Sequence, residues 1–184
     1  MNKYEFVDEV WALVPARSGS KRLKNKNLKK IKKLSLVARA IINCKKSKNI
    51  DRVFLSTNSN KIKNEGLKYG AEVPFLRSKK NSHDNSNDFD VIKEFLNKVN
   101  NAEKKIPNHI IFIRPTTPIR ESHVLDKAIK KFRSLKNYDS LISVHEMNEP
   151  VHKKFFIIKD KLKTAIENLT LDQANNPRQK FKKS

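Results

Sequence analysis

The residues best suited to chemistry fall in short stretches that each follow an apolar run. In Leu13 to Leu28, L-V-P-A-R-S-G-S-K-R-L-K-N-K-N-L, the cations Arg17, Lys21, Arg22, Lys24 and Lys26 alternate with small residues. The preceding run, Val10 to Val14, predicts a buried strand, and Pro15 stops its ladder. Gly19, one of only three glycines in the chain, allows a positive φ and a close approach to the backbone. A strand ending in such a loop can cradle phosphate, because successive backbone N–H groups form a concavity for anions. Neither G-x-x-x-x-G-K-[ST] nor G-x-G-x-x-G occurs, so this is not a Walker or dinucleotide loop. On composition alone, a solvated basic turn explains the same residues equally well.

A second stretch, Arg77 to Asp90, is R-S-K-K-N-S-H-D-N-S-N-D-F-D. It has no apolar periodicity before Phe89 and reads as a surface loop ending in an Asp88 helix cap, with His83 incidental. The third stretch, Arg114-Pro115-Thr116-Thr117-Pro118-Ile119-Arg120, holds prolines that forbid helix and fix an extended turn. It follows the apolar run His109 to Arg114, expected to lie centrally in a sheet. Ligands of open parallel sheets bind beyond the carboxyl ends of the strands, which would bring Arg17 and Arg114 to one edge.

The elements that must position these residues alternate. The pattern predicts a polar lead-in over Met1 to Asp8, a helix from Leu34 to Cys44 and a strand from Asp51 to Thr57. A helix over Asn60 to Tyr69 comes next, closed by Gly70 at C′, and then a strand from Ala71 to Phe75. Further expected elements are a helix over Val91 to Val99, a Ser122-capped helix to about Leu135 and a strand from Tyr138 to Val144. A hairpin over Phe155 to Leu162 completes the series. The order predicts an α/β fold of Rossmann-like, three-layer type with a mainly parallel central sheet.

Composition narrows the function. The single cysteine, Cys44, excludes an internal disulfide and a cysteine-based zinc site. No signal peptide and no apolar run of spanning length is apparent, so a cytoplasmic protein is expected. The net charge of +22 favours polyanions at long range. Its lysines are spread along the chain rather than gathered on one face, and no stacking platform for single strands is visible. A basic nucleic-acid-binding protein is therefore the weaker alternative.

The motif P-A-R-x-G-S-K-R-L-x-x-K-N after a strand resembles the nucleotide loop of the acylneuraminate cytidylyltransferases, the CMP-sialic acid synthetases. That family has a nucleotidyltransferase fold and transfers CMP from CTP to the anomeric hydroxyl of a nonulosonic acid, releasing pyrophosphate. The resemblance implies that Arg17, Ser20, Lys21, Lys26 and Asn27 hold the triphosphate, with Arg17 and Lys21 also catalytic. The R-x-x-x-x-S-x-D-x-[AS]-x-x-x-D segment implies that Arg77 and Ser86 contact nucleotide. P-T-[TS]-P-[IL]-R places Arg114 and Thr116 at the junction of nucleotide and sugar. An extra residue in the spacing leaves Lys153 or Lys154, of which Lys153 is chosen, as the match to a cation on the sugar carboxylate, and Arg178, in N-x-P-R-Q, corresponds to another substrate contact.

The departures from the family pattern matter too. Enzymes selective for N-acetylneuraminate carry glutamine where Arg114 stands, and a cationic fork differs from a neutral amide. Relatives with arginine there point to bacterial nonulosonates such as legionaminic or pseudaminic acid. The related octulosonate enzymes carry A-R-x-x-S-x-R-L-P-x-K, which Gly19-Ser20-Lys21 does not match. The family's Mg²⁺-binding D-x-D pair and much of its dimer contact come after the region equivalent to Arg178. The expectation is thus a single domain over 1–184 without that part, a homodimeric family, and Mg²⁺ whose ligands are not in this chain; Asp84, Asp88 and Asp139 are the only nearby acids. The alternative on the same residues is a catalytically silent CTP-binding remnant that acts through a partner.

Overall fold

The computed structural model describes residues 4–20, 23–83, 86–144, 155–158 and 161–164. The chain divides into two compact units, Met1–Asp139 and Ser140–Ser184.

The first unit is built on β1 (Glu5–Pro15), followed by a 3-10 turn (Lys26–Leu28) and a small ladder of β2 (Lys30–Ile31) and β3 (Leu34–Ser35). Then come α1 (Leu36–Lys45), β4 (Arg52–Ser56), α2 (Asn60–Lys68), a 3-10 turn (Lys80–Ser82), α3 (Asp88–Glu103), β5 (Lys105–Phe112) and α4 (Ser122–Ser134). The main sheet has the order β4-β1-β5 with both pairings parallel.

Alternation along the strands splits the core. Ala12, Val14, Val53 and Leu55 pack with Val37, Ala40, Ile41 and Cys44 of α1, Ile62 of α2 and Leu125 of α4. Trp11, Leu13 and Phe54 face the other way, against Phe95 and Val99 of α3. Helices therefore cover both faces of a parallel sheet, as the alternating pattern implied. Gly66 lets α2 close on the sheet, since a Cβ there would lie 2.2 Å from a methyl carbon of Leu55. The Cys44 thiol is pushed up to about 12 by burial, against the pull of Arg120, and is a packing group.

Several elements differ from expectation. The lead-in is not loose: β1 already pairs at Glu5, Phe6 and Val7 with Lys105, Ile106 and Pro107. The central strand is β1, which has partners on both edges, while β5 pairs only with β1 among the described residues. Ala71 to Phe75 contributes one isolated bridge, Glu72 to Phe54, because Pro74 has no N–H to continue a ladder. Tyr138 to Val144 forms no strand; no described segment offers it a ladder, and Ile142 and Val144 stand 78% and 89% exposed.

The helix starts also shift. α3 is capped by Asn87, whose Oδ1 accepts from Asp90 N at 2.8 Å, and Asp88 falls in the first turn, where a negative charge suits the helix N-terminus. Ser122 lies inside α4, because extended backbone ends at Glu121, which makes no side-chain cap. In the second unit β6 (Phe155–Ile158) and β7 (Lys161–Thr164) form the expected antiparallel hairpin.

Candidate functional site

The loop after β1 is held from both sides. Ala16 N donates to Ser56 O at 2.9 Å, and Ser18 N donates to Asn58 Oδ1 at 2.8 Å. The buried Asn27 returns its Nδ2 to Arg17 O at 3.0 Å, so its amide shapes the loop that presents Arg17. Gly19 takes φ +75, in the region where a side chain is strained. Lys26 begins the 3-10 turn that sends the chain back towards α1.

A second wall comes from the segment after α2. Arg77 N donates to Thr57 O at 2.8 Å, anchoring this segment to the end of β4. Glu94 of α3 then fixes the adjoining residues: it accepts from Ser78 N (2.7 Å), Ser78 Oγ (2.8 Å) and Asn81 Nδ2 (2.6 Å), and pairs with Lys98 at 2.8 Å. Burial raises the Glu94 carboxyl, but the hydrogen bonds from Lys98, Ser78 and Asn81 together outweigh it and hold the group at about 2. Ser86 Oγ donates to Lys80 O at 3.1 Å. The third wall lies beyond β5, where Ile113 N donates to Leu13 O at 3.0 Å and fixes the start of Arg114-Pro115-Thr116.

These walls enclose a cleft of about 400 Å³ beyond the carboxyl ends of the sheet strands. Every site residue expected from the sequence and lying among the described residues lines it: Arg17, Ser20, Lys26, Asn27, Arg77, Ser86, Arg114 and Thr116. Lys21, Lys153 and Arg178 lie outside the described residues. Asn81, His83 and Asp88 also line the cleft. Asn81 and His83 were not expected there, although both sit inside the Arg77 to Asp90 segment. No pattern in the sequence marks them; the Glu94 network turns that segment inward.

Arg77 is the residue with the least ordinary environment. It is 8% exposed, and its Nε and Nη2 have no hydrogen-bond partner among the described residues. Burial pulls its guanidinium down to about 10, with Glu94 opposing and Arg17 adding to the effect. A buried charge with unused donors is costly, and an anion in the cleft would offset that cost by neutralising the charge. Asp88 is the single carboxylate among the described lining residues, set against the cations Arg17, Lys26, Arg77 and Arg114. Its Oδ2 pairs with Arg114 Nη2.

The cleft can therefore take a multiply charged anion such as a nucleotide phosphate chain. Mg²⁺ prefers several oxygen ligands, usually including a carboxylate. The described residues contain no cluster of three or more candidate metal ligands, and a single described carboxylate lines the cleft. This donor set does not fit the ion.

Comparison with known proteins points the same way. The sequence profile of the cytidylyltransferase family matches residues 11–176. The chain is 30% identical over 146 residues to a pseudaminic acid cytidylyltransferase of Campylobacter jejuni, covering 79% of this chain and 62% of the relative. It is 30% identical over 142 residues to an N-acylneuraminate cytidylyltransferase of Escherichia coli, covering 77% of this chain and 32% of that one. Among solved structures it is similar in fold to a CMP:2-keto-3-deoxy-manno-octonic acid synthetase complexed with CTP, with a TM-score of 0.56 and 17% identity over 68% of this chain and 48% of that one. The chain spans 62% of the length of the Campylobacter relative.

Proposed function

The chain belongs to the cytidylyltransferase family, and from that premise we propose that it transfers CMP from CTP to the anomeric hydroxyl of a nonulosonic acid, releasing pyrophosphate. The observation that carries the proposal is the convergence of Arg17, Lys26, Arg77 and Arg114 on one cleft at the strand ends.

Nucleotidyl transfer depends chiefly on positioning and charge neutralisation. The loop after β1 would wrap the triphosphate, with Arg17, Ser20, Lys21 and Lys26 on its oxygens and Asn27 keeping the loop in shape. Arg77 would bring its charge to the nucleotide, beside Ser86. Arg114 and Thr116 would face the acceptor, and Lys153 and Arg178 would complete its site. The anomeric oxygen attacks the α-phosphorus, the bond to the bridging oxygen breaks, and pyrophosphate leaves with the electron pair; the hydroxyl proton passes to solvent. Arg17 and Lys21 would neutralise the charge that develops on the phosphates.

Arg114 in place of glutamine favours a bacterial nonulosonate over N-acetylneuraminate as acceptor. The names of the relatives, which include pseudaminic acid and N,N'-diacetyllegionaminic acid enzymes, support that choice. Mg²⁺ is proposed to accompany the nucleotide with protein ligands from outside the described residues, and a homodimer in the cytoplasm is part of the same proposal. No helix among the described residues is long and apolar enough to cross a membrane.

Calorimetric titration with CTP beside ATP, GTP and UTP, at moderate salt, is the deciding experiment. CTP-selective binding followed by pyrophosphate release with a nonulosonic acid is expected. Selective binding without release would point to the silent CTP-binding alternative, and equal, salt-sensitive binding of all four nucleotides would overturn the proposal. Lys21→Ala is expected to lower turnover about ten- to a hundredfold, the size of a charged hydrogen bond; near-normal turnover would remove Lys21 from the mechanism.

A further inference from the structure

Asp88 stands out in a cleft otherwise furnished with cations. A fixed carboxylate repels phosphate and carboxylate ligands alike, so its presence calls for a role. It opens α3, and its Oδ2 pairs with Nη2 of Arg114, just beyond β5. The contact joins two walls of the cleft, since Asp88 belongs to the segment after α2 and Arg114 to the segment after β5.

We propose that Asp88 is a specificity-determining residue that competes for Arg114 with an anionic oxygen group of the substrate. The inference rests on the proposed cytidylyltransferase function. Three features make the pair exchangeable. Its side chains are 62% and 45% exposed, and exposed ion pairs are weak. The contact engages Nη2 only, whereas an incoming carboxylate or phosphate can use the guanidinium fork with two oxygens. Asp88 also keeps a favourable place when Arg114 leaves it, because it sits in the first turn of α3 at the positive end of the helix dipole. An anion must therefore displace Asp88 from Arg114, and one that cannot span the fork binds more weakly by a few fold.

The test is a double-mutant cycle of Asp88→Asn and Arg114→Ala in the full chain, with thermal melts confirming that each variant is folded. Two ligands are titrated: CTP alone, and a nonulosonic acid in the presence of the α,β-methylene analogue of CTP, which has no leaving oxygen on its α-phosphorus. Asp88→Asn is expected to tighten one ligand about two- to fivefold, the range of an exposed pair, and to have no effect on it once Arg114 is alanine. Tightening of the acid identifies the carboxylate as the competitor, and tightening of CTP identifies the phosphate. Tightening that persists in Arg114→Ala would reflect general cleft potential and overturn the inference, as would no change or weaker binding. Failure of wild-type CTP selectivity would sink the parent function, and the inference with it. Normal CTP selectivity with a failed cycle would sink the inference alone.

Discussion

Arg52 and Arg77 show two opposite uses of one side chain. Arg52 opens β4, where its Nε donates to Glu72 at 3.0 Å and its Nη1 to Glu103 at 2.6 Å. Its guanidinium also lies 4.6 Å from the Trp11 ring centre and 4.5 Å from that of Phe54. Hydrogen bonds to Glu103 and then Glu72 hold it above its ordinary value. Arg77, beyond the other end of β4, is more deeply buried and has two nitrogens without partners among the described residues. The first arginine is satisfied within the fold and ties β4 to its surroundings. The second keeps two buried donors without partners among the described residues and lines the cleft. Within one sheet, unspent hydrogen-bonding capacity separates the site from the scaffold better than the count of cations does.

The sharpest way to break this contrast is Arg77→Met. It is expected to weaken CTP binding about ten- to a hundredfold, as for a lost charged hydrogen bond, while leaving the melting temperature unchanged or higher, since an unpaired buried charge is removed. A fall in both would make Arg77 structural. Arg52→Met is expected to do the reverse, costing about 1–2 kcal/mol of stability once solvent screening of a partly exposed pair is allowed for, with CTP affinity unchanged. Denaturant unfolding beside calorimetry separates the two outcomes.

Smaller effects sharpen the same boundary. Asn58→Ala removes the acceptor for Ser18 N and is expected to weaken CTP roughly two- to tenfold, the range of a neutral hydrogen bond. Titration should show this without loss of the circular dichroism signal. Glu94 supplies a pH signature: its carboxyl is depressed from 4.5 to about 2. The stability it contributes is full above pH 4.5 and is lost as pH falls towards 2. Glu94→Gln should therefore flatten the acid limb of a stability profile measured between those values.

Much of the site was legible because its residues are consecutive. Arg17 to Asn27, and Arg114 to Thr116, each come after an apolar run that announces a strand, and strand ends are where ligands bind in such sheets. Asn81 and the Asp88–Arg114 pairing were not legible. They depend on Glu94 and on the meeting of two walls, and no local pattern records a contact between residues 26 positions apart. The same limit explains the misplaced strands. The strand-forming residues of Tyr138 to Val144 and of Ala71 to Phe75 describe side chains, whereas a strand exists only where a neighbour supplies the ladder, and Pro74 refuses one.

The sequence by itself determined the α/β alternation, the helix faces and the identity of the cleft-lining residues in the loop after β1, because periodicity, turn chemistry and motif order are local properties of the chain. Tertiary structure alone decided that β1 takes the centre of the sheet, that Arg52 is neutralised while Arg77 is left with unused donors, and that Asp88 faces Arg114. Each of those outcomes is set by which distant group arrives beside a residue, and burial and pairing, more than residue type, then determine the energy of a charge.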